Sequence, residues 1–562
     1  MSRETEKLRT VAATLGALGL GFAASGAALE LWLGGFDVVR SSAGAWLMLN
    51  VHRVLLAGDM GVGCCVSMNP STFSNPAYPL AVAGLAESLR ADWIRVGHWL
   101  SAGSVGIAAV SMFALWRPLV GKIAGTAAAA AVLFPPFLAL AALARYDAPA
   151  LALVLLCGWS AAAAARDGRA RSWVIPGVLA GLAYNTREFM AAPALGALFA
   201  GLIAAGLMDR RRVRSDRRRR LRLLGAWLAA GLPAAATAFG LPTAVGLHPL
   251  GGLDSVLEYA AVSPSELADA HASLAQVLYL SDLGLPLLLG LGGLVAASLR
   301  RERRPELWVL WGMLLPFGLF LISGRQSAVY YLLLHTLLLA GCAGWLKLLP
   351  WWPARAALGL AAAGWLGAAA ARDTPTLVGG GTTTFYESEA WPVTAAQAAG
   401  AMRWAHEAAG DDAALIVSSR YLENADALTE LYHGRPSAFL FDPASPDLRR
   451  VVSLFADRRI VLLYLEQRGR DAEDGLGDLI PDGLTLADTW DSGTSLEARL
   501  YEVDPAAFKL EPVPDCWDRT RMPSRGACLQ AAWLDGGEAK LRARLEALPT
   551  NLPLARLWQP CW

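Results

Sequence analysis

The chain has 562 residues, of which 55% are hydrophobic and 17% are charged. Soluble globular proteins carry roughly a quarter charged residues, so this composition argues against an ordinary soluble enzyme. The net charge of +1 excludes a nucleic-acid-binding protein that works through overall basicity.

Long apolar runs extend from residue 10 to residue 371, and charged residues are evenly interspersed only after Asp373. Crossing a bilayer core about 30 Å thick takes roughly 20 helical residues, so these runs predict a polytopic α-helical membrane protein with about eleven spans. The first run is interpreted as a retained signal anchor, because Glu4 and Glu6 make the segment before it too acidic for a removable signal peptide and no convincing cleavage site follows. The predicted spans lie at 13–35, 94–116, 123–143, 148–165, 172–185, 189–207, 221–244, 284–299, 306–323, 329–347 and 354–371.

Clusters of Lys and Arg predict which side of the membrane each loop faces. Basic loops mark the cytoplasmic side. Five such clusters fall on one side of this arrangement, at residues 3–9, 117–122, 166–171, 210–222 and 300–304. We therefore expect a multi-pass protein of the bacterial cytoplasmic (inner) membrane. Its hydrophilic tail from Asp373 onward would be periplasmic or extracellular.

The tail carries a different pattern from the membrane region. Short β-like runs alternate with helix-like segments such as Thr394–Ala409, which is typical of a small α/β domain. The sequence thus predicts a transmembrane domain at 1–372 and an exocytoplasmic α/β domain at 373–562, for which a binding or scaffolding role is favoured over a catalytic one. The β-like runs lie at 414–417, 438–441, 460–464 and 498–501.

Five of the seven cysteines fall in segments predicted to face an oxidising compartment. Cys516 and Cys528 are the favoured disulfide, on sequence proximity alone. One of Cys64, Cys65 and Cys561 would then be unpaired, or Cys561 would bridge to the first loop. No Cys-x-x-Cys pair is present and no histidine lies close to a cysteine, so the sequence predicts no metal site.

Carboxylates at the predicted outer membrane face are candidate catalytic groups. Asp37 directly follows the first span, and Asp59 lies later in the same loop. A carboxylate in this position can act as a general base towards a hydroxyl group. Arg145 and Asp147 share a very short turn between two apolar spans. The alternative interpretation, strongest for Asp37, is a polar residue that merely ends a span.

Two arginines at the same face are candidate phosphate ligands. Arg187 lies at the tip of a helical hairpin, and Arg325 lies beside a glycine, shortly before Tyr331. The planar fork of donors on arginine suits a phosphate. The alternatives are a salt bridge between Arg187 and Glu188, and an Arg325 that snorkels to the interface beside an aromatic belt.

Together these motifs resemble the GT-C superfamily of membrane glycosyltransferases. The similarity is to the protein-mannosyltransferase-like and aminoarabinose-transferase-like branch, which uses polyprenyl-phosphate sugars, and it spans residues 13–347. The tail shows no motif of its own. The matching elements are Asp37 after the first span, Phe73–Leu80 with Tyr78 in it, Asp147–Pro149, Gly181–Arg187 and Ser323–Leu332.

The resemblance implies an inverting enzyme that moves a sugar from a polyprenyl-phosphate donor to an acceptor hydroxyl on a glycan, lipid or protein. Arg187, Arg325 and Tyr331 would hold the donor phosphate. Of the carboxylates, we expect Asp37 to be the base, because it begins a long external loop that could form the acceptor groove, and Asp147, on a tight turn beside Arg145, to orient the acceptor or the arginines. The expected reaction needs no metal or cofactor, because guanidinium groups can meet the charge that develops on the phosphate.

This sequence departs from the usual family pattern after the first-loop aspartate. Val38-Val39-Arg40 stand where the family usually has an acidic or aromatic cluster, so Asp59 is a second candidate for the base. Tyr78 and Arg145 are further candidate site residues.

Other classes of protein also carry many spans and rare membrane charges. The main alternative is a multi-span lipid or solute transporter or flippase with an external accessory domain. Against it, the candidate charges cluster at one membrane face and the two halves show no repeat. A membrane anchor for a partner-binding domain, and a ligase-type transferase that uses pyrophosphate donors, are two further alternatives.

Overall fold

The computed structural model describes most of the membrane helices and the core of the tail. The described residues are 76–91, 93–133, 146–212, 216–244, 284–299, 304–323, 331–348, 395–419, 435–440, 447–467, 482–491, 496–512 and 525–546, with single residues at 19, 23, 353, 354 and 357. The described helices up to Leu348 belong to one compact unit and the elements from Ala395 onward belong to a second.

The first unit is entirely helical in its described ranges. Its helices are α1 (Ala77–Leu89), α2 (Trp93–Val120), α3 (Lys122–Ala130), α4 (Asp147–Asp167), α5 (Val174–Thr186), α6 (Ala191–Arg212), α7 (Asp216–Ala244), α8 (Gly284–Leu299), α9 (Pro305–Ser323), α10 (Tyr331–Gly341) and α11 (Ala343–Leu348). Short 3-10 turns follow α3 and precede α5 and α6, at Ala131–Leu133, Ala170–Trp173 and Glu188–Met190.

Helices α2 to α11 follow the apolar runs predicted between residues 94 and 347. This agreement has a physical cause, since a segment in lipid must satisfy its backbone groups internally and a helix does so. The predicted first and last spans lie almost wholly outside the described residues, so the total of about eleven stays a prediction. In the described part of the chain, four helices are long and apolar enough to cross a membrane: Arg95–Val120, Asp147–Asp167, Glu188–Met208 and Arg220–Ala244.

Glycines allow the closest helix crossings in this unit. At the crossing of α6 and α9, an added Cβ at Gly312 would lie 2.5 Å from the Cβ of Ala200 and would also collide with the carbonyl oxygen of Gly196. Gly293 of α8 and Gly341 of α10 face each other in the same way. Apolar helices in lipid gain their packing energy from such close backbone approach, because burial against other helices adds little over burial in lipid.

We expect Gly312→Ala to destabilise the protein by about 1–3 kcal/mol, the usual cost of forcing a methyl group into a packed contact. The measurement is thermal or denaturant unfolding in detergent. Gly318→Ala is the matched control in the same helix, because a Cβ there meets nothing within 4 Å. Equal stability of the two variants would contradict the close crossing.

The second unit contains a five-stranded mixed sheet with the strand order β2-β1-β3-β5-β4. The first three strands in this order pair in parallel, and β5 pairs antiparallel with both β3 and β4. The elements are α12 (Ala395–Ala409), β1 (Ala414–Ser418), β2 (Ala438–Leu440), α13 (Asp447–Leu454), β3 (Ile460–Gln467), β4 (Leu484–Asp491), β5 (Leu496–Val503) and α14 (Arg525–Glu546).

All four β-like runs predicted from the sequence form strands, and the predicted helix at Thr394–Ala409 is α12. Successive side chains of a strand point to opposite faces of the sheet, and neighbouring residues such as Ile416 and Val417 are equally buried. Both faces of the central strands are therefore covered. One face packs against α13 and α14 through Leu448, Val451 and Ala527, among others. The edge strand β4 was not predicted.

Candidate active site

The N-terminus of α4 holds the first described candidate, Asp147. The helix begins at this residue, and the carbonyl of Tyr146 accepts its first backbone hydrogen bond, from Ala150, at 2.9 Å. A carboxylate in the first turn is favoured by the partial positive charge of the helix N-terminus. Asp147 nevertheless lies inside the helix bundle, with only 3% of its surface exposed.

Arg187 occupies the break between α5 and α6. Helix α5 ends at Thr186, and Arg187 has extended backbone angles, with φ −156° and ψ 114°. Its N–H donates to the carbonyl of Ala183 and its carbonyl accepts from the N–H of Met190, both at 2.9 Å. The backbone of Arg187 is therefore fixed from both sides, and its side chain is directed into the bundle, where the residue is 5% exposed.

These two buried charges form an ion pair, with 3.4 Å between Nε of Arg187 and Oδ1 of Asp147. An isolated charge at this depth would be very unfavourable, and each partner offsets the desolvation cost of the other. The pair is close to neutral overall. A guanidinium carries five N–H donors, which lets it bind a phosphate while it keeps its contact with a carboxylate.

Aromatic rings surround the guanidinium. Its central carbon lies 4.4 Å from the ring centroid of Tyr146 and 5.6 Å from that of Phe189. Such cation–π contacts stabilise a cation most where water is excluded. The two rings therefore favour the charged guanidinium in this buried position.

Tyr78 of α1 supports this arrangement from the other side. Its ring meets that of Tyr146 edge-on, with 6.5 Å between the centroids, and its hydroxyl donates to the carbonyl of Gly97 at 3.3 Å. Burial raises the pKa of Tyr78 well above its usual value, the nearby negative charge of Asp147 adds to the rise, and a hydrogen bond with Ser101 opposes it. Tyr78 is therefore a neutral hydrogen-bond donor at any physiological pH.

The structure thus brings together three residues that the sequence singled out, Tyr78, Asp147 and Arg187. No role was predicted for Tyr146 from the sequence, although its position between two candidate residues, Arg145 and Asp147, places it next to the predicted site. Tyr331 is the first residue of α10, but its side chain is not described. The other candidates lie outside the described residues. Those outside are Asp37, Asp59, Arg145, Arg325 and Cys516.

Two further sequence predictions concern cysteines and metals. Cys528 is buried in α14 and is disulfide-bonded, and its partner lies outside the described residues. Cys516 as that partner remains a prediction. Within the ranges that the structure describes, no group of three or more His, Cys, Asp or Glu side chains is arranged to hold a metal ion.

The segment that contains this site is similar to a known protein family. Residues 75–235 match a family model described as dolichyl-phosphate-mannose-protein mannosyltransferase. No curated protein sequence matches the chain. Tyr78, Asp147 and Arg187 all fall within the matched segment.

Two crystal structures of ArnT from Cupriavidus metallidurans are similar to this chain at 13% sequence identity. The complex with undecaprenyl phosphate has a TM-score of 0.51, and the similarity covers 88% of this chain and 99% of that one. The structure of the apo state has a TM-score of 0.53, and the similarity covers 90% of this chain and 100% of that one. At this identity the likeness shows a shared fold. With the family match, it confirms the predicted resemblance to GT-C membrane glycosyltransferases.

Proposed function

We propose that the protein transfers a sugar from a polyprenyl-phosphate donor to an acceptor hydroxyl at the outer face of the membrane. The observation that carries this proposal is the buried pair of Asp147 and Arg187, with the guanidinium against the rings of Tyr146 and Phe189, within the segment that matches the mannosyltransferase model. A buried guanidinium with its fork of N–H donors suits a phosphate group that enters from the lipid phase. The bound undecaprenyl phosphate of the similar ArnT structure supports the same class of donor.

In the proposed reaction, the acceptor oxygen attacks the anomeric carbon of the donor sugar. The bond from this carbon to the phosphate oxygen breaks, polyprenyl phosphate leaves, and the acceptor proton passes to a carboxylate. In-line attack inverts the anomeric centre. Arg187, together with Arg325 and Tyr331, meets the charge that develops on the departing phosphate, which is worth most in a site that excludes water.

The two groups of carboxylates have different proposed roles. Asp147 forms an ion pair with the guanidinium of Arg187, so we assign to it the role of orienting this arginine. The proton acceptor is then a first-loop carboxylate, with Asp37 as first choice and Asp59 as the alternative. A base needs a lone pair directed at the acceptor hydroxyl. A carboxylate in an ion pair with an arginine directs its lone pairs at the guanidinium instead.

The membrane topology proposed from the basic clusters gives a direct prediction. A reporter fused after Asp373 should be exocytoplasmic, because five basic clusters share the opposite side. The measurement is the activity of a reporter that works only outside the cytoplasm, with a fusion within residues 213–215 of the basic cluster as the cytoplasmic control. A cytoplasmic signal after Asp373 would mean that the number of spans differs from eleven by an odd number.

The experiment that tests the proposed function measures thermal stabilisation of the purified protein by a panel of polyprenyl-phosphate sugars. A ligand at 100 times its dissociation constant stabilises a folded protein by about 2.7 kcal/mol, which is readily detected. Polyprenyl phosphate without sugar, and the same sugars without lipid, serve as separate arms. If no donor stabilises the protein and none is consumed in the presence of acceptor glycans, the proposal is wrong.

The main alternative from the sequence was a transporter or flippase. The match to a mannosyltransferase model does not favour it. The same assay also separates the two, since a flippase would bind the lipid-linked sugar without breaking its bond to the phosphate.

A further inference from the structure

Helix α7 contains two prolines in its interior, Pro233 and Pro242. Proline has no N–H, so the carbonyl four residues earlier in the helix loses its usual partner. For Pro242 that carbonyl belongs to Ala238. In a membrane the loss matters, because lipid offers no replacement donor and other protein groups must supply one.

Asn185 supplies this donor from the neighbouring helix α5. Its side-chain amide nitrogen lies 2.8 Å from the carbonyl oxygen of Thr237 and 3.3 Å from that of Ala238, and it also reaches the carbonyl of Gly181 at 3.0 Å. Asn185 is fully buried. The two hydrogens of the amide are thus shared between two carbonyls of α7 that precede Pro242 and one carbonyl of the helix that carries Asn185.

The two helices approach closely enough for this contact because α5 has glycines on the facing side. A Cβ at Gly181 would lie 2.7 Å from the carbonyl oxygen of Ala234 and 2.6 Å from the Cβ of Thr237. Gly177, one turn earlier, faces the carbonyl of Ala230 in the same way. The proline-containing helix and the glycine-lined helix therefore fit as a pair, with Asn185 as their polar link.

We infer that Asn185 is a positioning residue, which fixes the break between α5 and α6 and thereby the place of Arg187. Asn185 lies in the last turn of α5, two residues before Arg187, where the chain leaves the helix. Its hydrogen bonds to α7 tie that last turn to a second helix. The effect on phosphate binding rests on the proposed function of Arg187, whereas the effect on the hairpin backbone does not.

The test is a double-mutant cycle between Asn185→Leu and Pro242→Ala in the full-length protein in detergent. Pro242→Ala restores a backbone N–H that can serve the carbonyl of Ala238, so the contribution of Asn185 is reduced to its bond with the carbonyl of Thr237. The donor-independent readout is hydrogen exchange of the amides of Arg187 and Met190. We expect Asn185→Leu to accelerate their exchange roughly tenfold in the Pro242 background and roughly twofold in the Pro242→Ala background.

The second readout is the dissociation constant of undecaprenyl phosphate, which should rise by about tenfold and about twofold in the same two backgrounds. Thr186→Val is the matched control at the adjacent position. Its hydroxyl donates to the carbonyl of Leu182 within α5, at 2.8 Å, so its effect should not depend on residue 242.

No effect of Asn185→Leu in either background overturns the inference. An equal effect in both backgrounds would assign the tie to the carbonyl of Thr237 alone and refute the coupling to Pro242. If Asn185→Leu folds only with Pro242→Ala, the coupling is demonstrated directly. If it folds in neither background, Asn185→Ser, which keeps one donor, replaces it in the same cycle. Coupled changes in exchange without any binding of undecaprenyl phosphate by the wild type would retain the positioning role and refute the proposed donor site.

Discussion

Replacing Arg187 with alanine is expected to weaken binding of a polyprenyl-phosphate donor by about 1.5–3 kcal/mol, the usual worth of a hydrogen bond to a charged group. It should also destabilise the folded protein by about 3–5 kcal/mol, because the buried Asp147 loses the arginine that offsets its desolvation cost. Donor binding is measured by titration in detergent, and stability by unfolding without donor.

A second substitution separates the two effects. Removing both charges, with Arg187→Ala and Asp147→Ala together, should recover much of the lost stability, since neither member of the ion pair is then left behind without the other. Donor binding should stay weak, because the guanidinium is still missing. Arg187→Lys should rescue binding in part, because lysine restores the charge without the planar fork.

A control outside the site is available at Arg220 in the exposed basic part of α7. Arg220→Ala removes the same charge and should change neither donor affinity nor stability appreciably. If Arg187→Ala binds the donor as tightly as the wild type does, Arg187 is not a phosphate ligand. Recovery of stability in the double variant would still support the buried pair.

Replacing the general base should produce the largest loss of turnover. A general base contributes about 10²–10⁴-fold to the rate, so Asp37→Asn should lower turnover by about that factor and leave donor affinity nearly unchanged. The asparagine keeps the size of the side chain but cannot accept the proton. Turnover is measured with saturating donor and acceptor.

The other carboxylates provide the comparison. Asp147→Asn should lose less turnover and should change donor affinity, because it alters the partner of Arg187 and not the proton acceptor. If Asp37→Asn keeps wild-type turnover and Asp59→Asn is inactive, the base is Asp59. Full turnover in all three variants would refute the carboxylate mechanism itself.

The sequence alone determined where most elements form. Apolar runs of about 20 residues predicted the membrane helices, because a backbone in lipid has to hydrogen-bond within its own segment. Short apolar runs in the tail predicted β1, β2, β3 and β5, all of which have buried residues. Strand β4 was missed because most of its side chains are exposed. An edge strand of this kind carries no buried alternating pattern to read.

The tertiary structure alone decided which residues meet. Asp147 and Arg187 are 40 positions apart in the sequence, and no local pattern pairs them. Their contact depends on the packing of α4 against α5 and α6. Tyr146 and Asn185 acquire their roles in the same way. Side-chain periodicity fixes the face of a helix, whereas the depth and angle at which two helices pack decide which polar groups share that buried space.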